Sequence, residues 1–117
     1  MKLDHLNLTV VDVAETQAFL EKYFGLRKMG SENTSISVLF DDNNSVITLM
    51  QGKRAEYPSS FHIGFNQPNV EQVNALYQRL KADGFKVAEP KKFHGAWTFY
   101  LPSPGGFTIE VQCWLGD

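Results

Sequence analysis

The chain has 117 residues, 43% hydrophobic and 21% charged, enough apolar material for one compact domain or two small packed modules. Its formal net charge is −2 with no long basic run, which excludes nucleic acid as the main partner, because neutralising phosphates requires a basic surface. A single cysteine, Cys113, excludes an internal disulfide, and no segment is long and apolar enough to cross a bilayer, so a soluble protein of the reducing cytoplasm is expected, with no membrane partner.

In chain order, residues 3–10 alternate: Leu6, Leu8 and Val10 share one face and His5, Asn7 and Thr9 the other, the pattern of a half-buried strand. Asp12 is placed to cap a helix with Glu15 three positions on, Phe19, Leu20, Tyr23 and Phe24 form its apolar stripe, and Gly25 suits its stop. Strands are predicted over 34–40 and 45–51, joined by a tight turn at Asp41-Asp42-Asn43-Asn44. Residues 52–60, with Gly52, charged residues and Pro58, read as a loop.

The order then begins again. Ser60 to Asn66 is a predicted strand. Pro68-Asn69 opens a helix whose Val73, Leu76, Tyr77 and Leu80 fall at i, i+3, i+4 and i+7, ended by Gly84. A short strand is predicted over 85–88, a loop over Lys91–Gly95, and strands over 96–101 and 106–113 flanking Pro102-Ser-Pro-Gly-Gly106. The spacing supports a true repeat. His5 and His62 are 57 apart, as are Asp12 and Asn69, whereas Asn43 and Gly105, and Thr48 and Glu110, are 62 apart. The offset changes only where loops or helix ends absorb insertions. Each half therefore reads strand, helix, three strands, with module 1 at about 1–52 and module 2 at about 59–117 of one domain.

Strand parity singles out three residues. Leu6, Leu8 and Val10, Ile63 and Phe65, and Phe107, Ile109 and Val111 need a helix layer, so His5, His62 and Glu110 all lie on the opposite sheet face. Two imidazoles and a carboxylate make a divalent-metal set that leaves coordination positions open for substrate. Taken singly, each is as readily a polar side chain facing water. Tyr100 shares parity with Ala96 and Thr98 and is a candidate to line the same face. His94, in the loop before that strand, is a candidate acid or base at a pocket mouth, against the blander reading of an exposed loop histidine. Lys53 and Arg54 read as solvated loop charges and Cys113 as a buried thiol.

The His5 strand, Phe19-Leu-Glu-Lys-Tyr-Phe-Gly-Leu26, Phe61-His-Ile-Gly64 and Phe99-Tyr-Leu-Pro-Ser-Pro-Gly-Gly-Phe-Thr-Ile-Glu110 together resemble the vicinal oxygen chelate family. That family includes glyoxalase I, fosfomycin-resistance enzymes, extradiol dioxygenases, methylmalonyl-CoA epimerase and bleomycin-binding resistance proteins. The resemblance implies an α+β fold of two βαβββ modules forming a curved sheet around a metal-centred cup. It implies His5, His62 and Glu110 as ligands of a divalent metal (Fe, Mn, Zn, Ni or Co), a small-molecule substrate and a homodimer. Thr48 stands where glyoxalase I usually has a carboxylate, and a hydroxyl near its normal pKa is a poor substitute in proton transfer, which speaks against glyoxalase I activity itself. Tyr100 matches a phosphonate-binding tyrosine of the fosfomycin group, although no arginine follows the final strand. The expected activity is that of a metal-dependent lyase, isomerase, thiol transferase or dioxygenase. The alternative is a metal-free protein that sequesters an antibiotic or other small ligand.

Overall fold

A computed structural model describes residues 1–30 and 34–116. The chain divides into two compact units, one of Met1–Glu56 with Pro104–Gly106, the other of Tyr57–Ser103 with the segment from Phe107 onward. The fold is α+β, and each unit is a βαβββ module.

In the first unit, β1 (His5–Val10) leads to α1 (Val13–Phe24), then β2 (Arg27–Met29), β3 (Ile36–Phe40) and β4 (Val46–Gln51). The sheet order is β1-β4-β3-β2, with β1 parallel to β4 and the other pairs antiparallel. Asp12 caps α1 as predicted, its side chain accepting from the Glu15 N–H at 2.9 Å, and Gly25 closes the helix. Phe19, Leu20 and Tyr23 bury their side chains with Leu8, Val10, Leu39 and Leu49 as the apolar core. Leu6 shares their parity but keeps 42% exposure.

The second unit repeats this. β5 (His62–Asn66), α2 (Val70–Ala82), β6 (Lys91–Phe93), β7 (Ala96–Pro102) and β8 (Thr108–Trp114) give the order β5-β8-β7-β6, with β5 parallel to β8. Asn69 caps α2 through the Gln72 N–H at 2.9 Å. The predicted stripe Val73, Leu76, Tyr77 and Leu80 is buried with Phe99, Leu101, Ile109 and Val111. Trp97 faces the helix and donates its indole N–H to Asn74 Oδ1 at 2.8 Å.

The registers match between units. Asn7 stands opposite Thr48 in the first sheet and Gly64 opposite Glu110 in the second, as the offsets of 57 and 62 require. Two local expectations fail. The strand predicted over 85–88 is not formed; a single backbone bond, Ala88 N–H to the Tyr100 carbonyl at 3.3 Å, ties it to β7. Pro90 has no N–H and restricts Glu89, which stops a ladder there. The expected loop over Lys91–Gly95 instead begins with β6. His94 and Gly95, at φ 51° and 76°, form a two-residue turn that pairs Phe93 with Ala96. β2 is the second strand of its half, at a place where sequence patterning set no bounds.

Candidate functional site

The second sheet carries a pocket of about 470 Å³ on the face away from α2. His62, Tyr100, Glu110, Phe93, His94 and Trp114 line it, with Ser60, Thr108 and Gln112 among the polar groups around them. Alternation explains the set. On β8, Ile109, Val111 and Cys113 are buried, while Thr108, Glu110 and Gln112 take the other face. Register then flanks Glu110 with Gly64 on β5 and Tyr100 on β7. Gly64 has no side chain to fill that space.

His62 is anchored through its Nδ1. Its Nδ1 lies 2.9 Å from the Ser60 carbonyl, which can only accept, so Nδ1 is assigned the proton. Nε2 therefore carries the ring's lone pair, unless the ring is doubly protonated. That nitrogen sits 3.4 Å from Glu110 Oε1. The other carboxylate oxygen, Oε2, accepts from Thr98 Oγ1 at 2.6 Å. The His62 ring also meets the Tyr100 ring edge-on, 5.7 Å between centroids. The Tyr100 hydroxyl is held protonated to higher pH than usual, first because burial penalises the phenolate, then because Glu110 accepts its hydrogen bond and adds like charge.

This half-site suits a metal. Two donors each about 2.1 Å from one cation, at a tetrahedral angle, stand about 3.4 Å apart. The observed separation of Nε2 and Oε1 matches that. A proton on Nδ1, fixed by a carbonyl, is the usual support for a histidine ligand bound through Nε2.

The other sequence candidates stand as follows. His5, on β1 of the first unit, has its side chain 52% exposed and its Nδ1 2.9 Å from Asp4 Oδ2. Thr48, on β4 of that unit, donates its hydroxyl to Asn7 Oδ1 at 2.7 Å. Among the described residues, no three His, Cys, Asp or Glu side chains gather as a metal cradle. His94 lies on the pocket wall, its ring 3.8 Å from that of Phe93, on a left-handed backbone that the turn imposes. Cys113 is buried. Sequence reasoning did not single out Ser60, Thr98, Phe93 or Trp114. Thr98 had the parity of Tyr100, but only the register of β7 on β8 brings it to Glu110.

A model of the Glyoxalase/Bleomycin resistance protein/Dioxygenase superfamily matches residues 2–111. The chain belongs to that superfamily. Within it, the chain is 52% identical to a possible glyoxalase from Bacillus cereus, with a TM-score of 0.90 over 97% of this chain and 99% of that one. The fosfomycin resistance protein FosX of Listeria monocytogenes is 23% identical, with a TM-score of 0.83 over 100% of this chain and 94% of its own. Lactoylglutathione lyase of Agrobacterium tumefaciens is 18% identical, with a TM-score of 0.76 over 96% and 92%. These last two show the superfamily fold. Among curated proteins, none matches. Among the described residues, no helix is long and apolar enough to cross a membrane.

Proposed function

We propose that this superfamily member is a metal-dependent enzyme that acts on a small oxygen-bearing substrate, with His62 and Glu110 as ligands of a divalent cation and His5 as the third. The observation that carries the reading is the 3.4 Å approach of His62 Nε2 to Glu110 Oε1, with Nδ1 already engaged by Ser60. A neutral His62 brings its Nε2 lone pair close to the carboxylate, and a cation bridging the two relieves that repulsion. His5, its Nδ1 engaged by Asp4, completes the set from the same chain or from a second copy in a homodimer. A cytoplasmic protein with one buried thiol fits this chemistry.

When bound, the cation supplies Lewis acidity that stabilises negative charge developing on a substrate oxygen. The chain's own residues do the rest. Tyr100, protonated across the neutral range, is a hydrogen-bond donor rather than a base, its proton held by Glu110 until a substrate oxygen replaces that acceptor. His94, an imidazole on the pocket wall, is the group placed to move a proton. Phe93 and Trp114 shield the apolar part of the ligand from water. Thr48 hydrogen-bonds Asn7 and serves as a polar contact, not as a proton acceptor of carboxylate strength.

A second reading rests on the same contact. A protonated His62 makes it an ion pair, which suits a metal-free protein that binds a small ligand in this pocket. Elemental analysis of protein purified without chelators separates the two. Stoichiometric Fe, Mn, Zn, Ni or Co, lost in folded Glu110→Gln and His62→Ala variants, supports the enzyme; no uptake under supplementation supports the binding protein. FosX of L. monocytogenes has been seen with Mn(II) and sulfate, and a point mutant of it with Mn(II) and 1S,2S-dihydroxypropylphosphonic acid, which makes Mn²⁺ the first cation to try. Mixing His5→Ala with Glu110→Ala protein tells the origin of His5. Metal uptake regained on mixing assigns it to a second copy, and none regained assigns it to the same chain.

A further inference from the structure

We infer that Thr98 is a positioning residue for Glu110, one that presets the carboxylate to offer a cation a single oxygen. The inference rests on the metal reading above. Thr98 lies in β7 and its residue exposure is 0%. Its Oγ1 is 2.6 Å from Glu110 Oε2 and 3.0 Å from the Val111 carbonyl oxygen. A hydroxyl has one proton and therefore serves one acceptor fully. The shorter distance and the carboxylate charge both favour Glu110, as in short charge-assisted O–H···O⁻ bonds.

The consequence is directional. With Oε2 tied to the sheet by Thr98, Oε1 is the oxygen left to face His62 Nε2. The Glu110 side chain is only 13% exposed, so little water competes for Oε2. A carboxylate held by one oxygen binds a cation through the other alone, which keeps coordination positions free for substrate oxygens. Without the hydroxyl, Oε2 loses its bond from Thr98 in a poorly hydrated place. The carboxylate then rotates or recruits Tyr100 more fully, and Oε1 leaves its set position. The corresponding place in the first unit is Ile36, opposite Met50, which has no hydroxyl to offer. The device belongs to the half of the repeat that carries the glutamate.

The test is Mn²⁺ affinity of the intact protein, by titration calorimetry or the electron paramagnetic resonance of free Mn²⁺, in wild type, Thr98→Val and Thr98→Ser. Loss of such an outer-shell partner weakens metal binding by about 10- to 100-fold. Thr98→Val is expected to show that loss, and Thr98→Ser, which keeps the hydroxyl, to recover most of it. The melting temperature of the metal-free protein is read alongside. A purely structural role would lower it without the valine-to-serine split in affinity. If Thr98→Val does not fold, the Ser and Ala variants, which differ by one oxygen, give the same comparison. Wild-type binding with equal affinity in the hydroxyl-bearing and hydroxyl-free variants overturns the role of Thr98 and leaves the metal reading intact. A wild-type protein that takes up no Mn²⁺ or other divalent cation overturns both.

Discussion

Gly106, in the turn that launches β8, is expected to be among the least replaceable residues of the chain. Its φ is +93°, and a Cβ built there would stand 2.8 Å from the carbonyl oxygen of Ala55. Two costs follow for Gly106→Ala. Holding alanine at a left-handed φ costs about 1–3 kcal/mol. Forcing a methyl group against a backbone oxygen adds an overpacking cost of about 1–3 kcal/mol, because backbone yields less than a flexible side chain. Gly84 supplies the control. Its φ is +92°, nearly the same, but a Cβ there meets nothing within 4 Å. Gly84→Ala should therefore bear the first cost and not the second. At about 4 °C per kcal/mol for a domain of this size, Gly106→Ala should melt about 4–12 °C below Gly84→Ala. Thermal unfolding of the metal-free proteins, followed by circular dichroism, measures the difference. Equal melting temperatures would refute the steric half of the reasoning and mean that the turn relaxes away from Ala55.

Tyr100 makes a pH prediction. Its folded pKa lies above the ordinary tyrosine value, so the proton is held more tightly in the folded state. The resulting stabilisation is complete below the unfolded value near 10 and is lost as pH rises through the higher folded value. Tyr100→Phe lacks that term, and its melting temperature should fall less steeply than wild type between about pH 9 and 12; parallel curves would contradict the assigned direction. On the opposite face of β8, Ile109 is fully buried. Ile109→Val should cost about 0.5–1.5 kcal/mol in denaturant unfolding and leave Mn²⁺ affinity unchanged. A large affinity loss would mean that the helix-side core and the pocket face are coupled more tightly than strand alternation implies.

Much of this protein was legible in the residues themselves because its signals are local. Asp12 and Asn69 announce helix starts through side chains that reach their own third neighbour, and period-two alternation sends Leu8, Val10, Ile109 and Val111 inward. Equal spacings from His5 to His62 and from Asp12 to Asn69 disclosed the duplication before any coordinates. The same alternation put His62 and Glu110 on one kind of face and made Tyr100 a candidate for it. What it left open was register, because a strand's pattern is indifferent to which neighbour stands beside which residue. Only the folded sheet sets Gly64 and Tyr100 on either side of Glu110, brings buried Thr98 to its Oε2, and turns the Ser60 carbonyl toward Nδ1 of His62. The β6 hairpin was hidden for a related reason. His94 accepts a left-handed backbone that residue type alone would assign to asparagine or glycine, and the pairing of Phe93 with Ala96 demands it. Local chemistry thus determined the elements and their faces, whereas long-range pairing decided which side chains on a face meet.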